Sequence, residues 1–224
     1  MKLVTGVVLQ RLTEFHLMVT NLAMCHQLTE RAPPQGRLWS VFLKIDCGNA
    51  RAGVWWEDGE AVEVVRFLQG RENVRFQGIY THCGNSYAAD SVREVERVRD
   101  DTLEAMVRLV ERLKKEGLDC PTWGVGSTPS CSHKTERFSS VTELHPGNYV
   151  LYDNQQLLLG SCTQADIAGK VMTRVIGRRQ PVVTILLLRP ALYQATIPGG
   201  IRCWWTVASL PSLSKARAVR VCPP

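Results

Sequence analysis

Paired cysteines, long apolar runs and carboxyl-terminal acidic residues are all missing from this 224-residue sequence. Its eight cysteines are scattered and none forms a Cys-x-x-Cys pair, which argues against a zinc knuckle or a dithiol redox motif. No apolar stretch reaches about 18 residues, so we expect no membrane span. Gln10, Arg11 and Glu14 interrupt the first apolar run, which excludes the core of a secretory signal. We therefore expect reduced thiols and a cytoplasmic location.

The acidic residues are unevenly distributed. All 21 lie at or before Asp166, whereas the last 58 residues carry nine lysines or arginines and no acid. The net charge of +6 is therefore a property of the tail rather than of a basic face. No pattern of an RNA-recognition motif or a zinc finger accompanies it, so we predict no nucleic-acid partner.

What the sequence does contain is an alternation of strand and helix patterns. The composition, 45% hydrophobic and 21% charged, is that of a globular protein with a sizeable core. Short links between the elements are typical of a parallel α/β domain. Apolar runs predict strands at 15–20, 40–47, 74–81, 122–128 and 148–153, and helical spacing predicts helices at 21–32, 57–72 and 91–116. Ser91 and Glu94 are spaced as a capping box for the last helix.

Polar, glycine-bearing clusters stand at the ends of these strands. Because right-handed crossovers place the carboxyl ends of parallel strands on one face, we expect the clusters to meet and line a pocket. The four clusters are "DCGNARAGV" (46–54), "YTHCGNSY" (80–87), "GVGSTPS" (124–130) and "ELHPGN" (143–148).

Two of these clusters have alternative interpretations. The backbone N–H groups and hydroxyls of "GVGSTPS" could cradle a phosphate, but a plain Ser/Gly/Pro turn has the same composition. Arg51 could bind a carboxylate, a phosphate or a ring nitrogen, or it could pair with Asp46 as a salt bridge on the rim. The residues alone leave both choices open.

The cluster "YTHCGNSY" argues against a metal site and against a catalytic nucleophile. His82 and Cys83 are adjacent on a predicted strand and so point to opposite faces, which disfavours both chelation and a Cys–His catalytic pair. Tyr80 and His82 share a face, and Tyr87 follows a turn that can return over the same mouth. This predicts an aromatic slot for a flat ligand. Simple packing of the tyrosines at the rim is the alternative.

Taken together and in order, these segments resemble the D-serine dehydratase family. Members of that family are pyridoxal-phosphate enzymes of fold type III, with an alanine-racemase-type barrel, and are related to D-threonine aldolases. The resemblance covers about Leu38 to Gly177 and implies an α/β fold that is part of a TIM-like (β/α) barrel. The matching segments are "VFLKIDCGNARAGV", "GIYTHCGNSY", "GVGSTPSCS", "ELHPGNYVLYDNQQ" and "DIAGKVMTRVIG".

The resemblance also implies a role for individual residues. Tyr80 and Tyr87 match the two tyrosines of the family's cofactor site, and Thr128 matches the threonine that holds the cofactor phosphate. The Pro-Gly-Asn turn that completes this cradle corresponds to Gly147 and Asn148. Arg51 matches a residue placed to approach the pyridine nitrogen.

The implied activity is the conversion of D-serine to pyruvate and ammonia, a lyase reaction. Pyridoxal 5'-phosphate is the electron sink, and a zinc ion helps the hydroxyl to leave. D-threonine is an alternative substrate, and a homodimer is expected for a full-length family member.

Two family features have no counterpart in this sequence. The Schiff-base lysine belongs to a segment ahead of the first matched strand, and the metal-binding His-x-Cys has no match because no histidine follows His145. We therefore expect no catalytic residue and no metal ligand here, and a truncated or alternatively spliced form. Inactivity with at most weak cofactor binding is the alternative to a working enzyme.

The expected domain organisation follows from the same comparison. Residues 1–160 are predicted to form an incomplete barrel that binds the cofactor, and residues 161–177 to begin a carboxyl-terminal β domain. Residues 178–224 are expected to be an aberrant, basic and poorly ordered tail in which "VVTILLL" (182–188) could form one strand. Open sheet edges would favour aggregation.

Overall fold

A parallel β-sheet with helices is the main feature of the computed structural model, which describes residues 12, 14–33, 36–169, 192–197 and 201–206. The chain divides into two compact units, Met1–Ile167 and Ala168–Pro224. The first unit contains six strands, β1–β6, and five α-helices, α1–α5, among its described residues. The predicted α/β fold with a parallel sheet is confirmed.

The elements of the first unit follow one another with short connections. Strands β1, β2, β4, β5 and β6 are neighbours in that order, every pairing is parallel, and β3 extends the sheet beside β2. In chain order the elements are β1 His16–Val19, α1 Leu22–Thr29, β2 Trp39–Asp46, β3 Val54–Trp55, α2 Glu60–Gln69, β4 Val74–His82, α3 Val92–Lys115, β5 Thr122–Gly126, α4 Thr128–Ser132, β6 Glu143–Leu144 and α5 Asn154–Leu158.

One face of the sheet forms the core together with the helices. Alternate residues of the strands, such as Leu43, Ile79 and Val125, are at most 1% exposed. They belong to one hydrophobic cluster with the apolar stripes of α2 and α3, which include Val65 and Met106. Side chains along a strand alternate between faces, so the residues between these point the other way. Those intervening positions carry the polar groups considered below.

Helix α3 begins where the sequence predicts. The Ser91 side chain accepts a hydrogen bond from the Glu94 backbone N–H, which satisfies one of the free donors of the first turn. Of the two hydrogen bonds of the predicted capping box, only this one is formed. The Glu94 carboxylate accepts from the N–H of Asp90 instead of that of Ser91.

Two strand predictions need correction. Residues 148–153 do not form a strand: Asn148–Val150 is a single 3-10 turn, and α5 begins at Asn154. The apolar run "YVLY" resembles a strand, yet Val150 and Leu151 are more than half exposed, so no sheet partner buries them. The predicted strand 122–128 ends at Gly126, because Ser127 caps α4 and Thr128 is already its first residue.

Two further strands, β7 (Leu192–Ile197) and β8 (Ile201–Thr206), belong to the second unit and pair in an antiparallel hairpin. The predicted strand at 182–188 lies outside the described residues. No helix in the described parts of the chain is long and apolar enough to cross a membrane.

Candidate functional site

Tyr80 stands at the centre of the second face of the sheet. Its neighbour in register on β2 is Lys44, and the Nζ of Lys44 lies 4.1 Å from the centroid of the tyrosine ring. The ring of His145, which follows β6, is 4.7 Å away between centroids. Nδ1 of His82 lies 3.4 Å from the tyrosine hydroxyl. Side chains from β2, from β4 and from the segment after β6 therefore converge on one phenol ring, and Tyr80 and His82 share a face as predicted.

A glycine at the end of β5 makes this convergence sterically feasible. A Cβ atom at Gly126 would lie 2.8 Å from the Tyr80 hydroxyl and 2.7 Å from the backbone oxygen of His145. Both distances are shorter than carbon–oxygen contacts allow, so any side chain here would push one of these groups away. The Gly-x-Gly run of β5 thus leaves room for the aromatic groups beside it.

The segment after Gly126, residues 127–130, is buried where the chain turns from β5 into α4. It is called the Thr128 loop below. The Ser127 side chain accepts a hydrogen bond from the Ser130 N–H, and Thr128 is fully buried. The hydroxyl oxygen of Thr128 accepts a hydrogen bond of 2.8 Å from the backbone N–H of Asn148. The structure therefore brings together two of the predicted phosphate-binding residues from segments 20 positions apart.

The side chain of Asn148 points to a different partner. Its amide donates to a carboxylate oxygen of Asp153 at 2.7 Å, while the other oxygen of that carboxylate caps α5. The amide predicted to complete a phosphate cradle is thus engaged in shaping the turn, and only the backbone N–H of Asn148 reaches Thr128. Gly147 is exposed and has open space around it, so it lies at the rim of the loop.

Two buried serines connect the loops after β4 and β5. The hydroxyl oxygens of Ser86 and Ser127 are 2.9 Å apart, and Ser86 also donates to the backbone oxygen of Cys83. The N–H of Cys83 donates to the backbone oxygen of Gly126, which extends the strand pairing by one residue. These bonds fix the position of Gly84–Ala88, a 3-10 turn that carries Tyr87. Cys83 is buried on the helix side, consistent with its exclusion as a nucleophile.

Tyr87 returns over the same mouth. Its ring is roughly parallel to that of His82, with centroids 6.2 Å apart. Burial raises the pKa of the Tyr87 hydroxyl, an effect partly opposed by hydrogen bonding to the backbone N–H and hydroxyl of Thr128. Tyr87 therefore links the aromatic cluster to the Thr128 loop. Burial also raises the pKa of Tyr80, to about 12, so Tyr80 and Tyr87 both stay protonated at neutral pH.

Lys44 is the least expected member of this cluster. Its Nζ is buried and has no hydrogen-bond partner among the described residues. Burial lowers the pKa of Lys44 to about 8, and the positive charge of Arg51 acts in the same direction. The same two cations, after burial itself, lower the pKa of His82. The site consequently contains an uncharged imidazole and an amine that is largely charged at pH 7 and loses its proton as the pH rises through about 8.

Of the alternatives that the sequence leaves open for Arg51, the salt bridge with Asp46 is not formed. One carboxylate oxygen of Asp46 accepts the backbone N–H groups of Gly48, Asn49 and Ala50, which closes the turn after β2. Arg51 is exposed, and its positive charge acts on Lys44 and His82. A second cation near Lys44 makes the mouth suitable for an anionic ligand.

The residues present fit a flat ligand that carries an anionic group and a carbonyl. The aromatic rings of Tyr80, Tyr87 and His145 supply surfaces for the flat part, the Thr128 loop supplies hydroxyl and backbone donors, and Lys44 supplies an unpartnered amine. Among the described residues, no group of three or more His, Cys, Asp or Glu side chains is placed to hold a metal.

Sequence reasoning missed three contributors to this site: Lys44, Ser86 and His145. A signal for Lys44 was available, since it is the only charged residue of the apolar strand "WSVFLKID" apart from Asp46 at its end. Ser86 and His145 gave no such signal. Their roles depend on contacts between loops that no spacing along the chain reveals.

Comparison with known proteins agrees with this architecture. Residues 7–155 match the family described as alanine racemase, N-terminal domain, which is well over half of the chain. The chain belongs to this family. The predicted family resemblance is therefore confirmed.

Curated relatives of this family member include two dehydratases. The chain is 36% identical over 145 residues to D-serine dehydratase of Dictyostelium discoideum, a match that covers 62% of this chain and 37% of that protein. It is 29% identical over 166 residues to D-threo-3-hydroxyaspartate dehydratase of Delftia sp. (strain HT23), covering 74% and 43%. The family member thus spans less than half the length of these relatives.

Solved structures show the same fold. The Delftia sp. HT23 enzyme aligns with a TM-score of 0.70 and 29% identity, covering 80% of this chain and 47% of that one. D-threonine aldolase from Filomicrobium marinum aligns with a TM-score of 0.62 at 20% identity, covering 89% and 59%. The second alignment supports the fold alone.

Proposed function

We propose that this chain binds pyridoxal 5'-phosphate and forms part of a lyase that acts on small D-amino acids such as D-serine. The observation that carries the proposal is the joining of Tyr80, Tyr87 and the Thr128 loop on one face of the sheet. Two relatives that are 36% and 29% identical to this chain are named as dehydratases of D-amino acids. Their names support the substrate class.

Each part of the site has a defined task in this proposal. Thr128, positioned by its hydrogen bond from the N–H of Asn148, holds the phosphate together with the backbone of Gly147, and Arg51 contributes positive charge at the mouth. Tyr80 and Tyr87 confine the ring. Bound pyridoxal phosphate supplies an electron sink for the bonds at the substrate Cα, whereas the protein supplies orientation and electrostatics.

His82 is the proton-accepting group that faces this ring. Its Nδ1 lies 3.4 Å from the Tyr80 hydroxyl, and burial and the nearby cations favour the uncharged imidazole. An uncharged imidazole can accept a hydrogen bond from the phenol, which orients the tyrosine oxygen in the site.

Thr128 gives a direct test of phosphate binding. We expect Thr128→Val to weaken binding of pyridoxine 5'-phosphate by about tenfold to a hundredfold, the usual cost of losing a hydrogen bond to a charged group. Thr128→Ser should retain most of the affinity because it keeps the hydroxyl. Isothermal titration calorimetry measures both.

The matched control is pyridoxine, the same ligand without its phosphate. Its affinity should be equal in the wild type and in Thr128→Val. An equal loss for both ligands would show that the valine disturbs the loop in general and that Thr128 does not meet the phosphate. Lyase activity is assayed separately, as formation of pyruvate and ammonia from D-serine. If the chain binds the cofactor but forms neither product, it is the inactive form that the sequence analysis gives as the alternative.

A further inference from the structure

A line of buried hydroxyl groups joins the Thr128 loop to the 3-10 turn after β4. The Oγ atoms of Ser127, in the loop, and Ser86, in the turn, are 2.9 Å apart, and the two residues are 1% and 0% exposed. Ser127 Oγ accepts a hydrogen bond from the N–H of Ser130 at 3.2 Å. Ser86 Oγ donates to the backbone oxygen of Cys83 at 2.7 Å. Three consecutive hydrogen bonds thus connect two segments that lie far apart along the chain.

The direction of these hydrogen bonds follows from the number of protons. A serine hydroxyl carries one proton, and that of Ser86 is donated to the Cys83 carbonyl oxygen, which has none to give in return. Ser86 therefore accepts in its bond with Ser127, and Ser127 is the donor. The chain of hydrogen bonds begins at the N–H of Ser130 and ends at the carbonyl of Cys83. Because one end can only donate and the other can only accept, the chain has a single direction.

Tyr87 and Thr128 form a second link between the same two segments. Tyr87 directly follows Ser86 in the sequence, and Thr128 directly follows Ser127. The N–H and the hydroxyl of Thr128 hydrogen-bond to the Tyr87 hydroxyl, which partly opposes the rise in the tyrosine pKa that burial causes. The serine pair fixes the backbone immediately before each of these two residues. The position of the tyrosine ring therefore depends on how the Thr128 loop is held, and the orientation of the loop depends on the turn.

Filling of space would be the simpler role for the two serines. Two small apolar side chains would fill the same space without the cost of removing hydroxyl groups from water. They would not fix orientation, however, whereas a hydrogen bond constrains an angle as well as a distance. Each hydrogen bond of a chain also polarises the next one. A directed chain between two parts of one candidate site therefore favours a positioning role.

We propose that Ser86 and Ser127 are positioning residues that couple the Thr128 loop to Tyr87, so that the phosphate and the ring of one ligand are held as a unit. The inference deepens the proposed function and rests on it. Ser86 is completely buried and touches no ligand itself. It acts on the phosphate through Ser127, whose neighbour Thr128 supplies the hydroxyl and the N–H.

Ser86→Ala tests this coupling, because the change is made in the turn and its effect is measured at the phosphate. Isothermal titration calorimetry of the full chain gives the affinities for pyridoxine 5'-phosphate and for pyridoxine, and their ratio is the phosphate preference. We expect Ser86→Ala to lower this ratio about fivefold, the usual effect of one neutral hydrogen bond. A merely structural role would weaken the binding of both ligands to the same extent. An unchanged ratio in a folded variant overturns the proposal.

Ser132→Ala is the matched control. The Ser132 hydroxyl also donates to the loop, to the backbone oxygen of Thr128 at 2.7 Å, but it is not part of the serine chain. Its loss should change the phosphate preference by less than about twofold. An equal fall in Ser86→Ala and Ser132→Ala would show that any hydrogen bond lost near the loop has this effect, and the coupling through Ser86 would then be wrong.

Ser86→Cys keeps a side chain of similar size and leaves no cavity. Sulfur is a weak acceptor, so we expect the phosphate preference to fall about threefold, by less than in Ser86→Ala. If Ser86→Ala does not fold, Ser86→Cys decides the question, and a ratio equal to that of the wild type overturns the proposal.

Binding by the wild type separates this inference from the proposed function. If pyridoxine 5'-phosphate binds and Thr128→Val weakens it, but the Ser86 variants keep the wild-type ratio, the coupling is wrong and cofactor binding stands. If the wild type does not bind pyridoxine 5'-phosphate, the proposed function fails together with this inference.

Discussion

The hydroxyl, amine and imidazole groups around Tyr80 illustrate how burial sets chemistry at the scale of single residues. Lys44 and His82 both have lowered pKa values chiefly because they are removed from water, and Tyr80 has a raised one for the same reason. In each case burial favours the uncharged form. The candidate site therefore places an uncharged imidazole and phenol beside the Lys44 amine, which is largely charged at pH 7, and Arg51 is a second cation at the mouth.

The buried amine leads to a prediction about stability and pH. In the folded chain the pKa of Lys44 is about 8, below its ordinary value of 10.5. Below pH 8 the amine is charged in both states, so folding carries the full cost of burying a cation. Between these values the folded amine is neutral while the unfolded one is charged, and this cost disappears as pH rises.

Lys44→Met removes the charge and keeps a long, flexible side chain. We expect it to raise the free energy of unfolding at about pH 7, on the order of 1 kcal/mol for a cation only partly removed from water. The gain should fall towards zero at about pH 10, as measured by urea denaturation of both proteins. A gain of equal size at both pH values would show that Lys44 remains charged in the folded protein.

At the scale of elements, the sheet depends on close contact between β4 and β5. Gly78 on β4 has a φ of +151° and is paired in register with Thr122, the first residue of β5. The pairing of β2 with β4 shifts register between Val41 and Phe42, next to this position. Such irregularities in strands are commonly associated with glycine because a side chain would not fit.

Gly78→Ala should therefore destabilise the fold strongly. The added Cβ would collide with the backbone oxygen of Thr122, and alanine disfavours the positive φ. We expect a loss of about 2–4 kcal/mol in the free energy of unfolding, in the range of a strained and overpacked position. Gly59→Ala is the matched control, since Gly59 has φ −62° and nothing within 4 Å of an added Cβ.

The control should change stability by less than about 1 kcal/mol, because alanine adopts this conformation without strain. Chemical denaturation of the three proteins provides the comparison. Equal stabilities of Gly78→Ala and Gly59→Ala would mean that β4 and β5 can separate without cost, contrary to the observed pairing.

At the scale of the whole molecule, the described sheet has apolar side chains at its edge. β1 pairs with β2 only, among the strands described, and Met18 on β1 is 41% exposed. An edge strand with an exposed apolar side chain is a template for pairing with another chain. Association through β1 is therefore the expected weakness of the isolated chain.

Met18→Lys should reduce self-association. A lysine on an edge strand opposes further pairing through its charge and its hydration. Met24→Lys is the matched control, because Met24 is 40% exposed but lies on helix α1. We expect light scattering during concentration of the protein to fall by at least about half in the first variant and by less in the second. Equal behaviour of the two variants would exclude the β1 edge as the point of association.

Much of the architecture was predictable from local patterns. The strands that became β1, β2 and β4 and the helix α3 have clear periodicities, and their predicted bounds agree with the structure to within a few residues. The strand predicted at 148–153 was wrong because apolar residues there are exposed at a turn. Local pattern cannot distinguish an apolar run that finds a sheet partner from one that does not.

The candidate site was likewise predictable from the sequence only in part. From the sequence alone, strand alternation placed Tyr80 and His82 on one face, and the polar clusters marked the carboxyl ends of the strands. Only the tertiary structure decided that Asp46 closes its own turn rather than pairing with Arg51, and that Ser86 meets Ser127. It also decided that Lys44 loses its water without gaining an acceptor. The physical reason is that alternation depends on neighbours along the chain, whereas hydrogen-bond partners and burial depend on which segments come together in space.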